Sequence, residues 1–458
     1  MQYSTYLLPL AISLCGALLC IIRGAYFEKI VSIVAASGVL IATVSNLWKA
    51  DNISGFFYVD GLSKILMLTI ALIYLTTVLY STAYLKHIKN PLFQSRLYYI
   101  LLNIFAAAMF FSVIADNLGL IWVGIEATTV TSALLVATEN DQVTIESAWR
   151  YVIIVSTGLV ISLISTTFIF GASGTLSLHV LLQHHPTNRV FLIGLLLGLI
   201  GFGTKAGIFP MHTWLPDVHG KAPSPVSAIF SGVLLPVALY AMARLIQVSA
   251  LPAVRIFSLV LGILTVIVAA LMMTVQTNYK RMFAYSSMEN MGMILVGFAL
   301  GGSGVIGAAI VILAHGLAKS GVFFLTGDVL STYHSTDIAD IHSLFKRMPR
   351  SAFGLFLGSM AVTGAPPFAI FAGELFILAQ LIQSYGWLLA VVLILFLAIA
   401  FIAVNYRTGK MIFTGTHGGI AEQHRWETWI PLINLSLSVL VLFMIPYFEQ
   451  LLKPFFKP

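Results

Sequence analysis

Five ionisable side chains stand inside long apolar segments of the sequence, where their chemistry suits proton transfer. Glu126 lies in GLIWVGIEATTVTSALLV, Glu374 lies in GAPPFAIFAGELFILAQ, and Lys205 ends the apolar run before AGIFPMHTW. His315 and Lys319 are four residues apart in ILAHGLAKSGVFFL, which places them on one face of a helix. A charge at the centre of a bilayer costs about 2.5–3.5 kcal/mol, so such residues face a bundle interior or water. Together they predict a buried ion path across several helices.

A purely structural role competes with this interpretation, because buried Glu–Lys pairs also lock helices together. Several such groups spread over five segments favour the ion path. Glu289 in YSSMENMGMI, His212 and His219 are secondary candidates for the same path. His212, Asp217 and His219 also resemble a small metal cluster, but they cross a helix break and no thiol or other carboxylate is nearby in the sequence. We therefore expect a structural or proton-relay role for them and no bound metal.

Two of the apolar segments contain helix-breaking residues beside one of these charges. These residues are Gly203, Gly207, Pro210 and Pro216 in the seventh apolar segment, near 190–216, and Gly364, Pro366, Pro367 and Gly373 in the twelfth, near 352–382. Proline removes a backbone donor and clashes with the preceding turn. Irregular backbone at membrane depth is tolerated only where protein or a water-filled cavity covers it. Although proline and glycine are common in membrane helices, the adjacent Lys205 and Glu374 favour functional breaks that let water and backbone dipoles reach each charge.

Lys205 and Glu126 carry opposite charges within the same predicted bundle. A lysine whose acidic neighbour approaches or withdraws gains or loses stabilisation of its charged form. The two residues are therefore predicted to form a switchable pair that takes up and releases protons.

The composition places these residues in a membrane protein. The chain has 458 residues, of which 59% are hydrophobic and 9% are charged, against about 25% charged in ordinary soluble domains. The mean hydropathy is +0.97. The net charge of +7 does not indicate nucleic-acid binding, because the basic residues are spread over short loops. We expect an all-α polytopic membrane protein whose first apolar segment is a retained helix.

Apolar runs long enough to cross a bilayer predict about fourteen transmembrane helices. They are expected near 7–22, 30–48, 62–85, 97–115, 118–138, 147–170, 190–216, 223–247, 255–275, 282–301, 304–331, 352–382, 386–413 and 427–450. Two interrupted helices five spans apart are typical of inverted-repeat transporters. The sequence thus predicts one membrane domain, 1–458, with two inverted five-helix repeats at approximately 97–247 and 255–413.

Lysine and arginine placement predicts the orientation. The odd-numbered loops hold Arg23, Lys29, Lys86, Lys89, Arg96, Arg150, Lys221, Lys280, Arg281, Lys346, Arg347, Arg350, Arg407, Lys410 and Arg425. The even-numbered loops and the C-terminal tail hold Lys49, Arg189, Arg244, Arg255, Lys453 and Lys457. This excess predicts cytoplasmic odd loops and both termini outside. Among the deeper charges, Lys64 lies near a helix start, where it is expected to snorkel to the interface.

Three motifs resemble those of one family over nearly the whole chain. They are TKAGIFPMHTWLPDVHGKAPSPVSAIFSGVLL, NYKRMFAYSSMENMG and HGLAKSGVFFLTGDVL. The chain is similar to the antiporter-like proton-channel subunits of respiratory Complex I, Mrp-type antiporters and membrane-bound nickel–iron hydrogenases. Within that family, WVGIEATTVTSALLVA, ESAWRYVII, YSSMENMG and GAPPFAIFAGELFIL look most like hydrogenase-4 component F.

The resemblance implies roles for the candidate residues. Glu126 would pair with Lys205, Lys319 with His315 would hand protons on, and Glu374 would be the terminal group. Many relatives carry a lysine in the eighth helix within SGVLLK, whereas this sequence reads SGVLLP and has Pro236 there. The connection from Lys205 to Lys319 is therefore open, and water chains or His212 are alternatives to the missing lysine.

The resemblance also implies the setting, a multi-pass protein of a bacterial or archaeal inner or plasma membrane. Its partners would be other membrane subunits, lipid and a peripheral redox arm of hydrogenase or quinone-reductase type, with no nucleic acid. The sequence shows no cluster-binding cysteines, haem motif or nicotinamide motif, so no cofactor and no redox active site are expected in this chain. We expect a proton-translocating subunit of a redox-driven pump. The alternatives are an Mrp-type monovalent cation/proton antiporter subunit and a scaffold whose path is broken at Pro236.

Overall fold

The fold of a computed structural model is a bundle of long helices, described for residues 5–22, 26–88, 91–415, 422 and 426–453. The helices are α1 Leu8–Leu19, α2 Phe27–Asn46, α3 Gly61–Tyr84, α4 Ser95–Ile114, α5 Leu118–Val136, α6 Gln142–Ser173, α7 Leu178–His184, α8 Arg189–Ala206, α9 Trp214–Lys221, α10 Ser224–Ile229, α11 Leu235–Gln247, α12 Pro252–Val275, α13 Tyr279–Leu300, α14 Ser303–Tyr333, α15 Leu344–Arg347, α16 Pro349–Val362, α17 Ala369–Tyr385, α18 Trp387–Phe413, α19 Trp429–Leu440 and α20 Ile445–Leu452. Single 3₁₀ turns cover Leu85–His87, Ile338–Asp340, Trp426–Thr428 and Val441–Met444, and a π-helical turn covers Phe230–Leu234.

Eleven helical segments of the described chain are long and apolar enough to cross a membrane. The all-helical, multi-pass architecture expected from the sequence is thereby confirmed, while the exact number of spans stays a prediction. The predicted segments 190–216 and 352–382 are divided, as their helix-breaking residues indicated. The segments 223–247 and 427–450 were predicted to be continuous, but they contain the π-helical turn Phe230–Leu234 and the 3₁₀ turn Val441–Met444, which hydropathy alone does not locate.

The central helices of the bundle are buried around their whole circumference. The most apolar stretches of α14 and of Ser224–Gln247 are 100% buried inside the protein, whereas that of α18 is only 28% buried. A helix that is apolar all round is buried in a core or in lipid. The candidate charges on α14 are therefore enclosed by protein, and α18 presents its apolar surface outward.

Side-chain caps explain where five of the long helices begin. Each cap oxygen accepts a hydrogen bond from a backbone N–H of the first turn, which has no partner within its own helix. The capping residues are Asp60 for α3, Asn117 for α5, Asp141 for α6, Asn188 for α8 and Asn278 for α13.

A short β-hairpin departs from the purely helical prediction. Strand β1, Asn52–Ser54, pairs antiparallel with β2, Phe57–Val59, and Ile53 lies opposite Tyr58. Gly55 takes φ +52° in the connecting turn, a conformation that glycine adopts without steric cost. The strand after this glycine is apolar and aromatic, whereas the strand before it contains one apolar residue, Ile53.

Two basic residues are placed differently from the loop-charge prediction. Lys64 does not reach the solvent, because it is 3% exposed and its Nζ contacts Asp51 Oδ1 at 2.7 Å. Arg244 lies inside α11, where it is fully buried and forms a bidentate ion pair with Asp60 at 2.6 and 2.7 Å. Each of these two cations is paired with a carboxylate inside the protein, which offsets part of the cost of burying its charge. The loop charges Arg23, Lys89, Arg425 and Lys457 lie outside the described residues.

Both predicted helix breaks are present. Helix α8 ends at Ala206, Gly207 follows with φ +74°, and the chain re-enters a helix only at Trp214. Helix α16 ends at Val362, Gly364 takes φ +67°, and α17 begins at Ala369. Pro216 was expected to help open the seventh segment. It lies instead in the first turn of α9, where a missing N–H leaves no intrahelical bond unmade.

Candidate ion-translocation site

Lys205 is the fully buried cation at the end of α8. Its Nζ donates a hydrogen bond to Thr129 Oγ1 at 3.0 Å and another to the phenolic oxygen of Tyr151. Nζ lies 4.8 Å from the centroid of the Tyr151 ring, at its hydroxyl edge. The lysine is therefore held by neutral groups of α5 and α6.

Glu126 is close to this group without touching it. It lies on α5 three residues before Thr129, so the two side chains occupy neighbouring turns of one helix face. Lys205 is the charged group that acts on Glu126 electrostatically, yet no ion pair joins the two. Within the described part of the chain, Glu126 Oε2 is buried and has no hydrogen-bond partner. The predicted switchable pair is thus seen with its partners apart.

Small residues let α6 and α8 approach closely enough to bring Tyr151 to Lys205. A β-carbon at Gly201 would lie 2.5 Å from the backbone nitrogen of Ser162, and one at Gly158 would lie 2.4 Å from Thr204. Close helix approach through small residues is the usual packing of membrane helices.

The segment after the break that follows α8 packs against the Lys205 site. Trp214, the first residue of α9, donates from Nε1 to the carbonyl of Thr204 at 2.8 Å. Its ring packs 4.8 Å from the Tyr151 ring. The freed backbone at the end of α8 is therefore partly satisfied by the segment beyond the break, as buried irregular backbone requires.

Lys319 and His315 form a second centre on α14. Both are fully buried in one uninterrupted helix, as their spacing indicates. Lys319 Nζ donates to the carbonyl of Phe283 at 2.7 Å and to Ser286 Oγ at 2.5 Å, both on α13. Like Lys205, it rests on neutral oxygens rather than on a carboxylate.

Two buried carboxyl groups follow on the far side of Lys319. Glu289 on α13 interacts electrostatically with Lys319, and Glu374 on α17 interacts with Glu289. Asn290 donates to Glu289 Oε2 at 3.1 Å and to the carbonyl of Val362 at 3.1 Å, so it links the carboxyl group to the end of α16. Glu289 thus stands between the second centre and the terminal group predicted at Glu374.

Glu374 lies directly against the second helix break. A β-carbon at Gly364 would be 2.3 Å from Glu374 Oε2, a separation at which atoms overlap. Only glycine leaves room for this carboxyl group and also accepts φ +67° without strain. Glu374 Oε1 is buried and has no hydrogen-bond partner among the residues that the structure describes.

Pro236 occupies the region between the two centres. It is the second residue of α11 and lacks the N–H that would bond the preceding turn, and the turn before it, Phe230–Leu234, is π-helical. Ser231 in this π-turn shares a 2.7 Å hydrogen bond with Ser287 on α13. A hydroxyl contact therefore crosses from the first half of the bundle to the second where a lysine is absent.

His219 is a buried ionisable side chain near this crossing, as is His315, which lies against the backbone of Ser231. His219 is fully buried on α9, its ring stacks on Phe323 at 4.9 Å, and it meets the edge of Phe230 at 6.3 Å. Neither ring nitrogen has a hydrogen-bond partner in the described residues. His212 lies apart from it, beside Phe209 and Tyr285.

Asp217 is engaged with arginines rather than with the two histidines. It contacts Arg281 at 2.9 Å and Arg150 at 3.9 Å. Across the described residues there is no group of three or more histidine, cysteine, aspartate or glutamate side chains placed to hold a metal ion. The resemblance of His212, Asp217 and His219 to a metal cluster does not extend to their arrangement in space.

The neutral partners of the lysines were missed by sequence reasoning. Tyr151, Thr129 and Ser286 are ordinary polar residues of membrane helices, and nothing in their types marks them. A usable signal existed in the hydroxyl runs ATTVTS and YSSM, each placed beside a glutamate candidate.

The arrangement as a whole is a set of ionisable groups in adjoining helices, buried except for Glu126, which is partly exposed. Amines, imidazoles and carboxyl groups each hold or release one proton, and serine, threonine and tyrosine hydroxyls both accept and donate hydrogen bonds. Chemically, such a set can take up and release protons.

Comparison with known proteins agrees with this description. Residues 115–400 match the family described as NADH:quinone oxidoreductase/Mrp antiporter, TM. A hydrogenase-4 component F homolog of Methylacidiphilum infernorum is 34% identical over 356 residues, which are 73% of this chain and 74% of that protein.

Two solved structures share the fold. One is a chain of an archaeal respiratory membrane complex, the membrane-bound sulfane sulfur reductase; it superposes with a TM-score of 0.86 at 22% identity, covering 98% of this chain and 96% of that one. The other is a chain of the Mrp complex of Dietzia sp., with a TM-score of 0.86 at 18% identity, covering 98% and 97%. The chain therefore belongs to the family of antiporter-like, proton-translocating membrane subunits, as its motifs predicted, and it is similar to hydrogenase-4 component F.

Proposed function

We propose that this chain carries protons across the membrane through a relay of its buried side chains. The observation that supports the relay best is the placement of Glu126, Lys205, Lys319 and Glu374 in one bundle, with each lysine resting on neutral oxygens. An ammonium held by neutral groups alone is less stabilised than one in an ion pair. Each lysine is therefore poised to give its proton away.

The first half of the proposed relay runs from Glu126 to Lys205. Approach of the carboxylate stabilises the ammonium, and its withdrawal favours release of the proton. The observed separation of Glu126 and Lys205 corresponds to the releasing state.

The middle of the relay replaces the absent lysine at Pro236. His219 and the Ser231–Ser287 contact lie where the two halves meet. An imidazole ring accepts and donates a proton at its two nitrogens. The positive charge of Lys319 opposes a second charge on His219, so His219 would carry a proton only while Lys319 is uncharged. Because of its location, His219 fits this role better than His212.

The second half runs from Lys319, with His315 one turn away on the same helix, through Glu289 to Glu374. Lys319 interacts electrostatically with Glu289, and Glu289 interacts in turn with Glu374. Glu374 would exchange protons with the aqueous side through the break at Gly364.

The energy for transport would come from partner proteins. Moving one charge against 100 mV takes about 2.3 kcal/mol. We propose that a peripheral redox arm of hydrogenase or quinone-reductase type supplies this energy and that this chain itself binds no cofactor. The 34% identity to a hydrogenase-4 component F homolog supports a partner of this type. Both solved relatives belong to multi-subunit complexes, which supports membrane partners.

The chain is a multi-pass membrane protein. It would form one membrane domain of about fourteen spans in a bacterial or archaeal cell membrane, surrounded by lipid and with both termini outside. Inverted repeats at approximately 97–247 and 255–413 are supported by one glycine-centred break in each, at Gly207 and Gly364. Reporter fusions to the two termini test the orientation.

A second candidate function is a subunit of a monovalent cation/proton antiporter. The TM-score of 0.86 to a chain of an Mrp complex favours it as the alternative. Proton movement that requires added Na⁺ or K⁺ and continues without a redox substrate would select this candidate.

The test uses the native complex, purified with its partners and reconstituted in vesicles that contain a pH-sensitive dye. We expect Glu126→Gln and Lys205→Ala to leave the subunit composition unchanged and to reduce proton pumping strongly. Co-purification of all partners is the control for assembly. Full pumping in both variants would overturn the role of this pair.

A further inference from the structure

The Lys205 ammonium occupies a site made of uncharged groups. Thr129 Oγ1 and the Tyr151 hydroxyl accept its hydrogen bonds. Hydrogen bonds to a charged group are stronger than those between neutral groups, so a desolvated ammonium gains from both. Thr129 and Tyr151 are therefore the partners of Lys205 when Glu126 is apart.

The hydrogen bonds around Tyr151 have a defined direction. An ammonium group only donates, so the Tyr151 oxygen accepts from Lys205. The Tyr151 hydroxyl then donates to Ser132 Oγ at 2.6 Å, and Ser132 donates to the carbonyl of Thr129 at 3.0 Å. The chain of donors therefore begins at the lysine and ends on the backbone of α5.

Tyr151 itself is firmly held. It is fully buried, and its ring packs 4.8 Å from Trp214 and 6.1 Å from Phe230. Lys205, by contrast, carries its charge on a flexible four-carbon stem. Any exchange of partners is consequently a movement of the lysine, with the tyrosine fixed.

We propose that Tyr151 is a positioning residue that provides a neutral docking position for the Lys205 ammonium, from which the ammonium moves to Glu126 and back. Glu126 is three residues before Thr129 on α5, so both positions lie within reach of one lysine side chain. This inference rests on the proposed relay and adds the residue that opposes the ion pair.

The Tyr151 hydroxyl determines what fraction of the time the Lys205 ammonium lies beside Tyr151 rather than beside Glu126. Loss of one hydrogen bond to a charged group shifts an equilibrium by roughly 10- to 100-fold. Without the hydroxyl, Lys205 remains with Glu126 and releases its proton less often. Pumping then slows although every ionisable group of the relay is present.

The experiment compares Tyr151→Phe with Tyr74→Phe in the reconstituted native complex. Phenylalanine keeps the aromatic ring at 151, with its packing on Trp214 and Phe230, and removes only the hydroxyl. Tyr74 is an equally buried tyrosine whose hydroxyl donates to Asn103, away from Lys205, which makes it the matched control. Ser132→Ala, which removes the acceptor of the Tyr151 hydroxyl, is a second and milder variant.

Two measurements are made on each protein: proton pumping, and the infrared carboxylate bands, with the Glu126 band identified by its loss in Glu126→Gln. We expect Tyr151→Phe to lower the pumping rate by roughly tenfold or more. It should also move the Glu126 band toward a paired, ionised carboxylate, and Ser132→Ala should move it less in the same direction.

An unchanged Glu126 band in both Tyr151→Phe and Ser132→Ala, or an equal loss of pumping in Tyr74→Phe, would overturn the docking position. Failure of the proposed relay itself gives a different result, namely full pumping in Glu126→Gln and Lys205→Ala. The two failures are therefore distinguishable.

Discussion

The carboxyl group of Glu374 lies against the backbone of Gly364, so that a β-carbon at position 364 would come within 2.3 Å of Glu374 Oε2. This contact joins the second helix break to the terminal group of the proposed relay. The backbone at the break thus leaves just enough room for this carboxyl group, and even a methyl group at position 364 would displace it.

Gly364→Ala is expected to reduce proton pumping because the new methyl group pushes Glu374 away from the break. The change also forces alanine into φ +67°, which costs about 1–3 kcal/mol. Gly386→Ala is the matched control, since Gly386 also has positive φ, +80°, but a β-carbon there meets nothing within 4 Å. We expect both variants to lose thermal stability, measured as Tm, and only Gly364→Ala to lose pumping. Equal pumping by the two variants would refute a role for the Gly364–Glu374 contact.

Asp60→Asn is expected to destabilise the protein by about 3–5 kcal/mol, because Arg244 is left as a buried charge without its carboxylate. Glu146→Gln is the control: it breaks an exposed ion pair with Arg150, of a kind typically worth about 0–1 kcal/mol. Thermal unfolding of the purified proteins at pH 7 compares the two losses. Similar Tm values for the two variants would contradict the importance of the buried pair.

The effect of Asp60→Asn should also depend on pH. Burial raises the pKa of Asp60, but the Arg244 guanidinium outweighs it and holds that pKa below its ordinary value of 3.8. A carboxyl group with a lowered pKa stabilises the fold fully above the unfolded value, and this stabilisation is lost as the pH falls through the folded value. The Tm difference between wild type and Asp60→Asn should therefore be constant from pH 5 to 7 and shrink below about pH 4. A difference that grows on acidification would contradict the assignment.

His219→Gln is expected to slow proton pumping by roughly 100-fold, the usual contribution of a positioned proton-transfer group. Glutamine keeps a polar side chain at the position but does not titrate. His212→Gln is the control, because His212 packs on Phe209 and Tyr285, away from the Ser231–Ser287 contact. Pumping that depends on His212 and not on His219 would place the connection elsewhere.

The long helices and the candidate charges were predictable because each leaves a strong local signal. An apolar run marks a span, and Glu126 or Lys319 stands out within it. The two breaks were predictable for the same reason, since Gly207 and Gly364 accompany prolines. The sequence placed Pro236 in the gap between the lysines, although it could not show the π-helical turn that precedes it.

The residues that contact these charges were harder to predict from the sequence, because these contacts depend on packing between distant segments. Lys205 and Tyr151 are far apart in the chain and meet only because glycines let α6 and α8 approach. Arg244 was assigned to a loop because its partner, Asp60, lies at the start of another helix. A linear pattern identifies a charge in the membrane, but which oxygen it contacts is decided by the three-dimensional fold.

If protons cross the membrane through this chain, the ratio of protons moved to electrons transferred depends on its buried lysines. The native complex in vesicles is compared with its Lys319→Met variant, which removes the buried central amine while keeping an apolar side chain of similar length. We expect the variant to retain electron transfer, measured with an uncoupler, and to show a lower proton-to-electron ratio. An unchanged ratio in the assembled variant would contradict proton transport through this chain.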